Sequence, residues 1–180
     1  MAISQTAYES ARKRAIEQFQ RAGIVLRGDE AASIEVADFG LGDLEREGLE
    51  VITYVNTDRC CAKELALFPR QTCPEHLHPP IDESNPGKEE TFRCRWGTVY
   101  LYVPGEATGP IQANPPGPHY HVKKEIVLRP GDQYTLAPNT PHWFQAGDEG
   151  AIISEFSTRS TDESDIFSDP AIQRAPEIIQ

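Results

Sequence analysis

The chain has 180 residues, 38% hydrophobic and 25% charged, with 28 acidic against 17 basic side chains and a formal net charge of −11. That length gives one domain a real core without disulfide staples, and so acidic a surface repels phosphate backbones and anionic membranes, so neither nucleic acid nor membrane is an expected partner. The four cysteines, Cys60, Cys61, Cys73 and Cys94, contain no Cys-x-x-Cys pair; this excludes a zinc knuckle and a disulfide framework and points to a reduced, cytoplasmic setting.

Residues 1–14 carry charges where a signal peptide would need an apolar core, and no apolar run approaches membrane-spanning length. Residues 6–22 read as an amphipathic helix. Thr6-Ala7-Tyr8-Glu9 matches a capping box, Tyr8, Ala11, Ala15, Phe19 and Ala22 recur at helical spacing, and Gly23 is a stop signal. The apolar stripe is a packing face against the body of the protein or a second subunit.

After a polar connection the texture changes to strands: Leu49–Val55, Lys63–Phe68, Glu90–Trp96, Thr98–Val103, Glu125–Leu128, Gln133–Ala137 and Ala151–Ser157. Turn signals separate them, among them Pro104-Gly105, Pro130-Gly131-Asp132, Pro138-Asn139 and the span Gly147–Gly150. The 15 prolines and 13 glycines, spread along the chain, suit many short elements. The expected fold is all-β, an antiparallel sandwich or barrel. It divides into residues 1–48 (helix and connection), 49–157 (barrel) and 158–180 (an irregular polar tail laid over the body).

Pro74-Glu75-His76-Leu77-His78-Pro79 places two histidines one residue apart. In an extended run His76 and His78 project to one face, as two ligands of one metal ion would. Alone, such a pair is more often loop decoration. In Glu90–Trp96, the face bearing Phe92, Cys94 and Trp96 must turn to the core, and it carries Glu90 inward with it. A buried carboxylate needs a partner, and a metal held by the histidines would be one. The same phase puts Lys88 on Glu90's side and Glu89 outward. His142 follows a second turn, in which Asn139 tolerates a left-handed backbone; taken alone it reads as a structural histidine.

Together, His76-x-His78, Glu90 with Gly97, and Gly131-Asp132 with Pro138-x-x-x-His142 resemble the paired motifs of the cupin superfamily. The resemblance implies a small jelly-roll-like β-barrel holding one divalent metal on His76, His78, Glu90 and His142. The His78–Glu90 spacing is longer than usual, implying an enlarged loop Pro79–Gly87 at the barrel mouth, and Asn139 replaces a customary glycine. A closer resemblance, to the small bacterial D-lyxose isomerases, runs through Tyr54–Arg59, Cys73–Pro80, Glu90–Arg95, Asn139–Gly147 and Ser160-Thr161-Asp162. It implies a sugar ketol-isomerase using manganese (Mn2+), with Glu155 and Lys88 catalytic and Lys63 and Asp165 binding the sugar. The expected reaction interconverts D-lyxose and D-xylulose, with D-mannose and D-fructose as a further pair, by proton transfer through a cis-enediol. Cupins of this size are often homodimers, which is the expected assembly.

The residues themselves suit such chemistry. Glu155 alternates in phase with Ala151 and Ile153, an apolar wall that would raise its pKa toward that of a general base. Two other readings compete: an Fe(II)-dependent cupin dioxygenase with the same ligand set, and a non-catalytic sugar-binding cupin.

Overall fold

The N-terminal helix starts one residue earlier than its sequence pattern suggests. In the computed structural model, which describes residues 3–107, 109–175 and 177–179, the chain opens with β1 (Ile3–Ser4) and α1 (Gln5–Arg21). The N-cap is Ser4, whose hydroxyl accepts from the Ala7 N–H at 3.2 Å. Serine at that position supplies the capping oxygen before Thr6 is reached, so the expected Thr6–Glu9 box is not used. Gly23, at φ 74°, ends the helix as its left-handed residue. Ala11, Ala15 and Phe19 are buried, and Gln18 beside them donates from Nε2 to the carbonyls of Leu67 and Ala151 at 2.8 and 3.0 Å. The helix is thereby fastened to two strands of the sheet.

A short α2 (Gly28–Ala32) leads into β2 (Glu35–Ala37), β3 (Leu49–Asn56), β4 (Cys61–Leu67), β5 (Thr72–Leu77), β6 (Glu90–Val103), β7 (Lys124–Leu128), β8 (Gln133–Leu136), β9 (His142–Ser157) and β10 (Ile166–Phe167). The strand order is β10-β5-β9-β4-β3-β2, with β6 along β9 and both β7 and β8 on β6; every pairing in this sheet is antiparallel. β9 makes the sheet curl into a half-barrel. Its first residues pair with β5 and its last with β4, while β6 follows it along the other edge. A separate strand, β11 (Ile178–Ile179), pairs in parallel with β1.

Two expected breaks are bulges instead. Glu90–Trp96 and Thr98–Val103 are one strand of 14 residues, and Gly147–Gly150 lies within the 16 residues of β9. The β6–β9 register shifts between Cys94 and Trp96 and again between Gly97 and Val99. At Gly97, φ 74°, a Cβ would meet the Gly150 carbonyl oxygen at 2.1 Å, so the two strands cross there only because the residue is glycine. The first shift turns Trp96 away from Phe92 and Cys94 and onto the helix side, against its expected phase; the second returns Val99, Leu101 and Val103 to the barrel interior.

The middle strands are buried on both faces. Val51, Leu65 and Ile153 point into the barrel, while Ile52, Ala66 and Ile152 pack beneath Ala15 and Phe19 of α1. Each buried Val, Leu, Ile or Phe among them contributes about 1.5–3 kcal/mol. Among the described residues, no helix is long and apolar enough to cross a membrane.

Candidate metal centre and sugar site

Pro74 has no N–H for the sheet ladder, and the β5–β9 register shifts between Cys73 and His76. The shift sets His76 directly across from His142. The His76 ring lies 4.3 Å from that of His142 and 5.0 Å from that of His78. All three histidines are buried, and one ligand nitrogen from each lies within 4.8 Å of the others. Asn139, at φ 59°, turns the chain so that its N–H donates to the His78 carbonyl at 3.1 Å, tying the two motifs together. Glu90 opens β6 on the inward face, as its strand phase requires, and is 1% exposed. Its Oε1 sits 3.0 Å from Nε2 of both His78 and His142.

The tautomers follow from the outer partners. Nδ1 of His76 faces the Pro74 carbonyl at 2.8 Å, and Nδ1 of His142 faces the Thr140 carbonyl at 2.9 Å. Carbonyls only accept, so each Nδ1 carries its proton outward and leaves the Nε2 lone pair for the centre. Nδ1 of His78 faces Asp165 Oδ1 at 2.5 Å in the same manner. Nε2 of His142 is buried without a hydrogen bond among the described residues, although Glu90 is near. Burial and the two neighbouring imidazoles hold His76 well below the usual histidine range, in the neutral form a ligand needs. Burial works against charge on His78, yet Glu90 and Asp165 outweigh it and push it up to about 9, so the centre favours a positive charge. Three imidazoles and one carboxylate, with outward-facing protons fixed by second partners, fit a divalent cation.

Beside this centre, two lysines and two carboxylates close a ring of alternating charge. Lys88 Nζ lies 3.1 Å from Glu155 and 3.6 Å from Asp162; Lys63 Nζ lies 3.7 Å from Glu155 and 2.7 Å from Asp162. Lys88 also reaches Glu90 at 2.9 Å, joining the ring to the histidines. Sheet register explains the first contacts, since Lys63 stands directly across β4 and β9 from Glu155. Burial opposes the charge on Lys88, but Glu155, Glu90 and Asp162 overcome it and hold the ammonium well above its ordinary range. Burial likewise opposes ionisation of Asp162, and Lys88 and Lys63 hold it well below the carboxylate range.

All the residues singled out from sequence therefore meet at one cavity. Lys63, Lys88, Glu155 and Asp165 line it with His76, His78 and Glu90, and His142 backs it through His76 and Glu90. The surroundings of Glu155 differ from expectation. Its face is right, but the wall is two ammonium groups, not apolar side chains, because Lys63 and Lys88 converge from separate segments. The C-terminal segment is also more than a covering tail. β10 pairs with β5, Phe167 lies 5.4 Å from the His76 ring, and Asp162 and Arg174 line the cavity. Neither Asp162 nor Arg174 stands out from sequence: the segment has no periodicity, and only the stretch Ser160-Thr161-Asp162 hinted at the first.

The register beside the metal centre has its own anchor. Glu75 is buried and faces away from the cavity, accepting from the His121 and Val122 N–H groups at 2.6 and 2.9 Å and from the Ser168 hydroxyl at 2.7 Å. One carboxylate thus joins β5 to the loop before β7 and to the segment that brings Asp165 to His78.

No family model matches the chain. Its structure is similar to L-ribose isomerases from Cellulomonas parahominis, at a TM-score of 0.76 and 15% identity over 99% of both chains, and from Geodermatophilus obscurus, at 0.78 and 14% over 99% of both. The likeness defines the class by fold: a cupin-type barrel. Curated relatives are far nearer in sequence. A D-lyxose ketol-isomerase of Cohnella laeviribosi is 60% identical over 176 residues, 96% of each chain. A D-lyxose/D-mannose isomerase of Thermosediminibacter oceani is 57% identical over 179 residues, 98% of each. The chain belongs to the D-lyxose ketol-isomerase family, a family of aldose–ketose isomerases.

Proposed function

We propose that the protein is a manganese-dependent isomerase interconverting D-lyxose and D-xylulose, with D-mannose and D-fructose as a second pair. The observation that carries this reading is the Glu155 carboxylate, set between the Lys63 and Lys88 ammonium groups beside the three-imidazole centre. A divalent ion held by His76, His78, Glu90 and His142 would supply Lewis-acid polarisation of the carbonyl and offset the negative charge that develops on the sugar oxygens.

Glu155 takes the C2 proton of the aldose as the C1–C2 double bond forms, and Lys88 gives a proton to O1, leaving a cis-enediol. Lys88 then recovers the proton of O2 while Glu155 returns its own to C1, which gives the ketose. One carboxylate serves both carbons, so the proton moves along one face of the sugar. Lys88 reaches this task protonated, because its carboxylate neighbours hold it charged despite burial. Lys63, fixed by Asp162 at 2.7 Å and Ser160 at 2.9 Å, donates to a sugar hydroxyl. Asp165 orients His78 and accepts from the sugar. The proposal includes a homodimer in the cytoplasm, its assembly read by light scattering.

A panel of pentoses and hexoses incubated with manganese-supplemented enzyme tests the reading. D-Lyxose and D-mannose are expected to yield ketose; no ketose from any aldose would overturn it.

A further inference from the structure

Phe39 holds a left-handed backbone, φ 53°, in a loop where Gly40 and Gly42 take the same region at 70° and 73°. Glycine enters that region freely, whereas a bulky side chain there is strained. The conformation is held by its neighbours: Leu41 N–H donates to the Asp38 carbonyl at 3.0 Å, and Gln173 N–H to the Phe39 carbonyl at 2.8 Å. Such strain persists where the side chain does something a glycine could not. The ring is 2% exposed and lines the cavity of the metal centre.

Its place relative to the chemistry is set by a row of rings. Phe167 lies 5.4 Å from His76, and Phe39 lies 5.7 Å from Phe167. Phe39 is therefore one ring further from the metal donors than Phe167. Leu49, Val51 and Leu65 line the same cavity and belong with Phe39 to one apolar cluster. A sugar whose C1 and C2 lie between the imidazoles and Glu155 has its remaining carbons to place against the other lining side chains, where C–H faces meet apolar groups and aromatic rings.

We propose that Phe39 is a specificity-determining residue that limits the length of carbon chain the cavity accepts, its ring occupying space that the terminal carbon of a hexose requires. The inference rests on the isomerase reading and deepens it. The test compares kcat/KM for D-mannose and D-lyxose in the manganese-loaded wild type, Phe39→Leu, Phe39→Gly and Phe39→Tyr, with circular dichroism to verify folding. The ratio favouring D-mannose is expected to rise about tenfold in the smaller variants, the scale of a methylene's worth of pocket space. It is expected to fall in Phe39→Tyr, which lengthens the side chain into the same space. An active wild type whose ratio moves less than about twofold in every folded variant, or rises in Phe39→Tyr, overturns the inference alone. A wild type inert toward both sugars overturns the isomerase reading and this inference with it.

Discussion

The inner and outer faces of the barrel wall both bury carboxylates, under opposite electrical conditions. Inside, Glu90 and Glu155 each lie within about 3 Å of the Lys88 ammonium, and Asp162 lies 2.7 Å from Lys63. Outside, Glu50 of β3 and Glu64 of β4 each leave an oxygen without a hydrogen-bond partner, and neither forms an ion pair among the described residues. Burial raises Glu50 well above the carboxylate range and raises Glu64, whose other oxygen accepts from Ser154 at 2.7 Å. Burial pushes Glu90 and Asp162 up as well, but Lys88 leads the opposing charges in both cases and both are held well below. Desolvation is common to the two faces. The cations decide which carboxylates stay charged: on the face proposed to handle sugar they stand in ion-pair contact, whereas Arg14 and Arg95 act on Glu50 and Glu64 without an ion pair among the described residues.

Neutralising one carboxylate on each face is the most severe way to break this comparison. Glu90→Gln is expected to abolish manganese binding and activity and to cost about 3–5 kcal/mol in urea denaturation, because Lys88 loses a buried partner. Glu64→Gln should stay within about 1 kcal/mol of wild type and keep full activity, since burial already works against its charge and no ion pair is lost. Equal losses from the two variants would mean that the faces do not differ. Glu155→Gln should lower kcat about 10²–10⁴-fold with bound manganese unchanged by elemental analysis, as expected for loss of a general base. Asp165→Asn, which replaces the carboxylate behind His78, should weaken manganese affinity about 10–100-fold in a chelator competition.

The smallest effect is in the pH dependence of stability. Asp162 is depressed in the folded state, so its contribution is present above the unfolded value and is lost as pH falls through the folded one. Glu50 is raised, so its contribution is full below the unfolded value and is lost as pH rises toward the folded one. Glu50→Gln should therefore stabilise the protein increasingly as pH rises above the unfolded carboxylate value and not below it, by about 1 kcal/mol or roughly 2–4 °C in Tm for a chain of this size. A uniform shift at all pH values would show that Glu50 does not titrate as described.

Much of the site could be read before the fold because period-two alternation is strong evidence wherever a strand is regular. The inward turn of Glu90 and the shared face of His76 and His78 needed only the pleat. Reading failed where regularity did. The bulges flanking Gly97 reverse the phase of Trp96, and no local pattern announces them. The direct pairing of His76 with His142 depends on a register shift at Pro74, which is a property of two distant strands. Strand phase gives Glu155 its face but not its surroundings, since the lysines beside it arrive from other segments. Asp162 and Arg174 lie in a stretch with no periodicity, where only tertiary placement reveals a role.

Whether Glu155 carries the proton is read from turnover of D-lyxose in deuterated water by the manganese-loaded enzyme, with NMR of the D-xylulose formed. A proton held on Glu155 exchanges with solvent, so deuterium is expected at C1 of the ketose. D-Xylulose free of solvent deuterium throughout the reaction would contradict it and would point to direct transfer of hydrogen from C2 to C1.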